Sequence, residues 1–309
     1  MSKRIMYGVA ICLAILGAVA MRGGRENSAR NAATANGASG TMPADRGPAS
    51  SGKDLAERGS AATPVSADSA ASGSIHGAAA DNKRAATDPN SPLHAGETWE
   101  YSANVSKLSK VANLQLRVME KRNFLGKIAW HLQAMAHTEN PLRMVFMLDD
   151  QFDSYSDANN LVSLQYEMHL NEKGQTVNSV QRMAATGREP APPDAAIARV
   201  LPGTRDPLGM MQYLRTVDWS KTPEVRSPVY DGHKLYDVRA KLRGTSESVT
   251  VPAGNFKTSK VELRVLDNGQ EMKDAHFTLY FTNTDARMPV LLEAIMPFAD
   301  ARVELVKAQ

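Results

Sequence analysis

Apolar and polar residues alternate along most of the chain beyond Glu97. This period-two alternation is typical of β-strands that have one face in a core and the other in water. Turns at 171–175 and 266–270 separate neighbouring runs, and the second contains an Asn-Gly pair that suits a tight hairpin. The clearest runs cover residues 114–118, 128–134, 144–148, 162–170, 261–265, 277–281 and 303–305. Because short loops without helices join them, we predict a mainly β fold, a curved antiparallel sheet or incomplete β-barrel of about ten to twelve strands.

One stretch interrupts this alternation. Residues 184–204 are rich in Pro and Ala, and the sequence RDPLGMMQYLR follows them. Asp206 can cap a helix, and Pro207 suits the first helical position. Apolar residues then recur at helical spacing, at Leu208, Met211 and Leu214. We therefore predict a short helical insertion, with one or two helices within residues 193–216, that covers the opening of the half-barrel.

The N-terminal residues 1–20 have the pattern of a secretory signal peptide. A basic start precedes an apolar run, and Ala18 and Ala20 are small residues at cleavage spacing. The apolar run is close to the shortest length that spans a bilayer, so an uncleaved inner-membrane anchor is the alternative. Cys12 is the only cysteine, and Ile11 precedes it where a lipoprotein signal would have a small residue. We therefore predict a periplasmic protein without lipid attachment. Cleavage would remove Cys12, so the mature protein is expected to have no disulfide and no thiol chemistry. The alternative is a protein that stays anchored in the inner membrane.

Residues 21–92 have the composition of a disordered linker. They contain no aromatic residue and only five large apolar ones among many Ala, Gly and Ser residues. Ordering 72 residues costs on the order of 100 kcal/mol of backbone entropy. Burial of five apolar side chains returns about 15 kcal/mol at most. The folded domain is therefore expected to be 93–309.

The distribution of charge argues against a nucleic-acid partner. The sequence pI is about 8.9. Residues 93–309, however, contain 26 Lys and Arg residues and 26 Asp and Glu residues, so the predicted domain has no net charge. Such a domain has no bulk positive field to attract phosphates. Contact with a membrane is expected only through the N-terminal segment, if it remains uncleaved.

No pattern in the chain nominates a catalytic residue, a metal or a cofactor. There is no G-x-S-x-G motif and no phosphate-binding glycine loop. His131 and His137 are the closest pair of histidines in the domain, but six residues of strand separate their side chains by about 20 Å. The remaining histidines of the domain occur singly, at His94, His169, His233 and His276. We predict no metal site from this spacing.

Two acidic or charged segments remain as candidates for a hydrolytic site. Asp149 and Asp150 are adjacent, and Asp285 and Arg287 lie in the corner TDARMP between two apolar runs. Paired carboxylates can serve a glycan hydrolase when they meet in a cleft. A solvated strand end explains Asp149 and Asp150 more simply, and a turn explains the corner, where Arg287 can pair with Asp285 or with a neighbouring loop.

Four stretches, taken in order, resemble the bacterial envelope family DUF3108. They are LHAGETWEYSANV, LPGTRDPLGMMQYLR, VPAGNFKTSKVEL and TNTDARMPVLLEAIMPFADARVEL, and from the first to the last they extend over nearly all of the predicted domain. The resemblance implies a secreted, periplasm-facing β domain with no established catalytic residues. The closing pattern is also similar to that of half-barrel lipoprotein carriers of the Lol type. That second similarity implies a half-barrel with an apolar concave face and a helical plug that holds acyl chains.

These features favour a non-enzymatic periplasmic module whose half-barrel binds a hydrophobic ligand, such as a lipid or a lipoprotein. The residues predicted to line the pocket or belong to its plug are Met144, Leu164, Met168, Met211, Tyr213, Leu263 and Leu279. The same residues could instead form an ordinary filled core. An envelope hydrolase using Asp149, Asp150 and Asp285 is one alternative function. A scaffold held on its linker, which has an r.m.s. reach of about 45–50 Å, is another.

Overall fold

The computed structural model describes residues 91–184, 196–273, 275–296 and 299–309. The predicted signal peptide and almost all of the predicted linker lie outside these residues. The described part contains fourteen strands, one α-helix and one short 3-10 helix at Leu142–Met144. The elements are β1 (Thr98–Val105), β2 (Leu108–Phe124), β3 (Lys127–Thr138), β4 (Asp149–Asp157), β5 (Ser163–Glu172), β6 (Gln175–Ala184), β7 (Ala196–Arg199), α1 (Pro207–Thr216), β8 (Glu224–Tyr230), β9 (Leu235–Val251), β10 (Gly254–Asp267), β11 (Gln270–Glu271), β12 (His276–Thr282), β13 (Pro289–Met296) and β14 (Ala299–Ala308).

The strands form one sheet that does not close into a barrel. Their order is β7-β6-β5-β4-β3-β2-β1-β14-β13-β12-β10-β9-β8, and β11 pairs only with β10. Neighbours are antiparallel except for β6 and β7, which run parallel. The predicted mainly β fold with an incomplete barrel is therefore confirmed. The sequence predicted fewer strands because β7 and β11 contain only four and two residues, which is too short for a visible alternation.

The segment before α1 connects β5 to the strand at the far edge of the sheet. Ser163 N donates a hydrogen bond to Thr204 O (3.1 Å), and Arg205 N donates to Pro228 O (3.0 Å). Tyr230 N in turn donates to Arg205 O (2.8 Å). Residues 204–205 thus lie between β5 and β8 and pair with the backbone of both. They supply hydrogen-bond partners to β8, which is otherwise an edge strand.

The apolar residues of the alternating runs form one continuous core with α1. Inner-face residues such as Leu116, Leu132 and Val261 are at most 4% exposed. Helix α1 packs against β3, β4 and β8. Gly209 lies at a close approach of α1 to the sheet, since a Cβ atom there would be 2.9 Å from Ser156 Oγ and 3.0 Å from Ser163 Oγ. A side chain at this position would have to displace one of these hydroxyls.

Two predictions about local structure need correction. The strand predicted for 144–148 does not form, and Met144, in the 3-10 helix, is 83% exposed. Thr138 explains this, because its hydroxyl donates to Phe146 O (2.9 Å) and accepts from Leu148 N (3.1 Å), which holds the segment as a loop. In the predicted insertion, residues 196–199 form the strand β7 rather than a helix, and α1 is the one α-helix described. Residues 185–195 lie outside the described part.

Candidate functional site

Helix α1 lies on the inner face of the sheet, where the sequence predicted a ligand. Its side chains Leu208, Met210, Met211 and Leu214 are all at most 7% exposed. The predicted pocket residues Met168, Leu263 and Leu279 belong to the same continuous core, whereas Leu164 and Tyr213 are only partly buried. Met144 is not part of it, because its side chain points into solvent. Met168, Leu263 and Leu279 are therefore part of the core that α1 covers, and their role in binding a ligand stays a prediction.

The start of α1 is fixed by a buried carboxylate. Asp206 is fully buried, and its Oδ1 accepts a hydrogen bond from Gly209 N (2.8 Å), as expected of a capping residue. Its Oδ2 accepts from the hydroxyls of Ser154 and Ser163, both at 2.5 Å. Burial raises the pKa of Asp206, and the hydrogen bonds from the two serines oppose that rise. This network joins the helix to β4 and β5, and it accounts for the buried serines without a catalytic role.

The end of α1 is fixed by a buried guanidinium. The Arg215 side chain is 0% exposed, and its Nη1 lies 3.0 Å from Glu97 Oε2. The guanidinium also lies over the Trp99 ring, 4.5 Å from its centroid. Burial lowers the pKa of Arg215, and the hydrogen bond with Glu97 opposes only part of that shift. The remaining acceptors around the guanidinium are Gln212 Oε1 (2.6 Å), Pro92 O (2.5 Å) and Ala286 O (2.7 Å).

The corner TDARMP also contacts the C-terminal end of α1. Arg287 Nη1 donates hydrogen bonds to Arg215 O (3.0 Å) and to Val217 O (2.9 Å), which are carbonyls at the C-terminal end of the helix. Asp285 is exposed and contributes nothing to this contact. The corner between β12 and β13 is therefore structural, as the sequence indicated. Polar groups fix α1 at both of its ends, while its middle meets the sheet through apolar side chains.

The carboxylates considered for a hydrolase do not converge. Asp149 and Asp150 are adjacent in β4, so their side chains lie on opposite faces of the sheet. Asp149 forms a two-bond ion pair with Arg143, with distances of 2.8 and 2.7 Å. Asp150 is 3% exposed, and its Oδ1 accepts from Asn171 N (2.9 Å) while its Oδ2 has no hydrogen-bond partner in the described chain. Asp285 lies in the distant β12–β13 corner.

Replacing Asp150 by asparagine is expected to stabilise the protein at neutral and alkaline pH. Burial raises the pKa of Asp150 to about 7, against about 3.9 for an unfolded chain. Between these values the folded state binds more protons than the unfolded state, so stability falls as pH rises from about 4 to about 7. Three pKa units correspond to about 4 kcal/mol, the largest gain expected for Asp150→Asn above pH 7.

Denaturant titrations at pH 4 and pH 8 measure this difference. Asp149→Asn is the matched control, because the hydrogen bond from Arg143 lowers the pKa of Asp149. Its substitution should therefore cost stability at pH 8, by about 1 kcal/mol or less for a pair this exposed, and the cost should vanish as pH falls. A gain for Asp150→Asn that is equal at both pH values would contradict the assigned titration.

The outer faces of β4 and β5 bring together a cluster of groups that can bind metal ions. One ligand atom each from Asp153, Glu167 and His169 lies within 4.8 Å of the other two. Asp153 and Glu167 are directly opposite each other across the two strands. His131, on β3, places its Nε2 2.7 Å from Asp153 Oδ1. Burial raises the pKa of Asp153, but hydrogen bonds from His131 and two glutamines outweigh this, so the net shift is downward.

A charged groove of about 310 Å³ lies on the outer face of β8, β9 and β10. Ion pairs of Glu262 with Arg243 and Arg264 cross it. Arg239 on β9 lies directly opposite Arg226 on β8 and Arg264 on β10. The Nε atom of Arg239 is buried and has no hydrogen-bond partner in the described chain. The lining is too strongly charged for the predicted hydrophobic ligand.

Comparison with protein families identifies the family of the chain. The family model for DUF3108, a protein of unknown function, matches residues 100–306. The chain belongs to the DUF3108 family. No curated protein matches the sequence. Within the residues that the structure describes, no helix of this DUF3108 protein has the length and apolar character needed to cross a bilayer.

Three crystal structures are similar to this DUF3108 protein in fold. A β-barrel-like protein of the domain of unknown function DUF1849 from Brucella abortus is 10% identical, with a TM-score of 0.44, and the match covers 70% of this chain and 97% of that one. A candidate lipoprotein from Parabacteroides distasonis is 14% identical (TM-score 0.33; 71% and 98% covered). A candidate exported protein with a YmcC-like fold from Bacteroides fragilis is 12% identical (TM-score 0.33; 71% and 97% covered). Likenesses this distant identify no ligand.

Sequence reasoning found Asp206 as the cap of α1 but missed the pair of Arg215 and Glu97 at the other end of the helix, as well as the residues that cluster on the outer face. Arg215 and Glu97 are 118 positions apart, and no local pattern links them. The histidines were judged by their spacing within single strands. The cluster instead forms between strands, where residue 153 is opposite residue 167, and residue 169 lies two positions along the same strand as residue 167 and diagonal to residue 153. The register between β4 and β5 is the signal that could have found it.

Proposed function

We propose that this protein is a non-enzymatic module of the bacterial envelope that binds a long-chain hydrophobic ligand on the inner face of its sheet. The observation that carries the proposal is the position of α1, which covers that face with apolar side chains. The ligand would take the place of these side chains when the helix moves aside. The polar groups at the two ends of α1 would guide its return.

The apolar part of the cost of moving α1 sets a minimum size for the ligand. Four apolar side chains of the helix are buried, and their exposure costs about 6–12 kcal/mol. At about 0.8 kcal/mol for each buried methylene, an acyl chain of about 14 methylenes contributes about 11 kcal/mol. Long acyl chains therefore offset the cost, and short ones do not. Met210 and Met211 suit such exchange, because methionine adapts its shape to different partners.

Location in the envelope rests on the N-terminal sequence. Residues 1–20 have the pattern of a signal peptide or of an uncleaved anchor. Two of the fold relatives are a candidate lipoprotein and a candidate exported protein. A periplasmic module with an apolar binding face could shield the acyl chains of lipids or lipoproteins from water.

A covalent lock on α1 is expected to abolish ligand binding. A Cβ at position 209 would lie 2.9 Å from Ser156 Oγ, which is close to the ~3 Å between a Cβ and the far sulfur of a disulfide. Gly209→Cys with Ser156→Cys, in a Cys12→Ser background, should therefore crosslink the helix to β4. We expect a fluorescent fatty acid of about 16 carbons to bind the reduced variant and an analogue of about 8 carbons to fail.

Oxidation of the same variant should lower its affinity for the long-chain probe at least about tenfold, and reduction with dithiothreitol should restore that affinity. The reduced protein is the matched control, since it differs only in the crosslink. Equal binding by the oxidised and reduced forms would show that the probe binds elsewhere. Absence of long-chain binding by both the wild type and the reduced variant would overturn the proposed function.

A further inference from the structure

The cluster on the outer face of β4 and β5 lies apart from the inner-face site. Asp153 and Glu167 are directly opposite each other, and their side chains are 6% and 18% exposed. Like charges at directly opposite positions destabilise a sheet, and partial burial increases the repulsion. A cation between them would remove this repulsion.

His169 is oriented as a metal-binding histidine should be. Its Nδ1 lies 3.0 Å from Asn178 Oδ1. Since an amide oxygen only accepts, this contact places a ring proton on Nδ1, and in the neutral imidazole the lone pair is then on Nε2. Nε2 faces Glu167, with Oε2 at 3.6 Å. A hydrogen bond from the distal ring nitrogen is the usual support of a histidine ligand.

Asp153 is held by three side-chain contacts and keeps one free acceptor position. Oδ1 accepts from Gln133 Nε2 (3.0 Å) and lies 2.7 Å from His131 Nε2, while Oδ2 accepts from Gln151 Nε2 (2.7 Å). A carboxylate offers about four acceptor positions, so one remains for an ion. Gln165 holds Glu167 in the same way, with Nε2 2.6 Å from Oε1.

We propose that Asp153, Glu167 and His169 form a binding site for a divalent transition-metal ion such as zinc. Two carboxylates and one imidazole are suitable ligands for such an ion, and three protein ligands leave a fourth position for water. A tetrahedral zinc ion holds its ligand atoms about 3.4 Å apart. The three groups, now within 4.8 Å, reach this spacing by small side-chain rotations. His131 and Asn178 are positioning residues that hold Asp153 and His169.

Isothermal titration of the metal-free full chain with zinc chloride tests the site. We expect one ion per chain, with a shift in the Nε2 resonance of His169 and not of His137 in long-range ¹H–¹⁵N spectra. His169→Ala and Glu167→Gln should each weaken binding more than about tenfold. Asn178→Ala should weaken it about 10–100-fold, the usual effect of losing a residue that orients a ligand.

His137→Ala is the matched control, because His137 pairs with Glu139 (2.9 Å) outside the cluster. It should leave zinc affinity unchanged. The His169 side chain is 40% exposed, so its removal should leave the thermal midpoint of the metal-free chain nearly unaltered, and a lost fold cannot explain lost binding. Absence of a stoichiometric ion, or equal weakening by His137→Ala and His169→Ala, would overturn the proposal.

Discussion

Replacing Arg215 by methionine is expected to lower the free energy of unfolding by about 3–5 kcal/mol. The guanidinium is fully buried, and it satisfies Glu97 together with the carbonyls of Pro92 and Ala286. Methionine fills a similar volume but leaves the Glu97 carboxylate, whose side chain is 14% exposed, without its counter-ion. The loss of a buried partner is costly because the remaining charge must stay desolvated. Denaturant titration followed by circular dichroism measures the change.

Two further variants identify the cause of this loss. Arg226→Met removes an arginine whose side chain is 56% exposed and lies 3.7 Å from Glu224, and we expect a change below about 1 kcal/mol. Arg215→Met combined with Glu97→Gln should recover part of the stability, since no unpaired charge remains. A double variant that loses the sum of the two single effects would rule out the ion pair as the source.

Replacing Asp206 by alanine is expected to cost about 2–4 kcal/mol. The substitution removes the helix cap and leaves the Ser154 and Ser163 hydroxyls and Gly209 N–H without their buried acceptor. The carboxylate is itself desolvated, and its raised pKa reflects that cost, so the net loss is smaller than the sum of three hydrogen bonds. Thermal and denaturant unfolding measure it.

Asp206→Asn and Asp218→Ala are the controls for this result. Asparagine keeps an oxygen that can accept from Gly209 N. The Asp206→Asn variant should therefore lose no more than about half of the stability that Asp206→Ala loses. Asp218 accepts hydrogen bonds from Ser220 N (3.1 Å) and Ser220 Oγ (2.5 Å), but its side chain is 42% exposed. Water can replace it, and we expect no measurable loss of stability for Asp218→Ala. Equal losses for the Asp206 and Asp218 variants would contradict the role assigned to the buried network.

The sequence predicts the strands and the helix because their signals are local. Period-two alternation identifies β2 and β5, and Asp206 followed by Pro207 correctly marks the start of α1. The prediction for Met144 was wrong because the alternation of residues 144–148 carries no information about the hydrogen bonds that Thr138 makes with that segment. Local pattern is sufficient where burial alone decides, and it fails where one polar side chain redirects the backbone.

The two candidate sites could be predicted only in part, for a physical reason. An apolar inner face follows from alternation, but its cover by α1 depends on Arg215 meeting Glu97 and Arg287, which are far apart in sequence. The outer cluster depends on register. A shift between Tyr155 and Ser156 sets which residues of β4 and β5 are opposite each other. Without that register, Asp153, Glu167 and His169 are three separate polar residues.

Native mass spectrometry of the full chain, isolated from an envelope extract without detergent, tests the central claim most directly. Organic extraction of whatever co-purifies then identifies the bound compound. The account predicts a discrete adduct with the mass of a long-chain lipid, which is lost when the disulfide between positions 156 and 209 is formed before exposure to lipid. A chain that keeps its ligand-free mass after incubation with envelope lipids would contradict the account and leave α1 as a permanent part of the core.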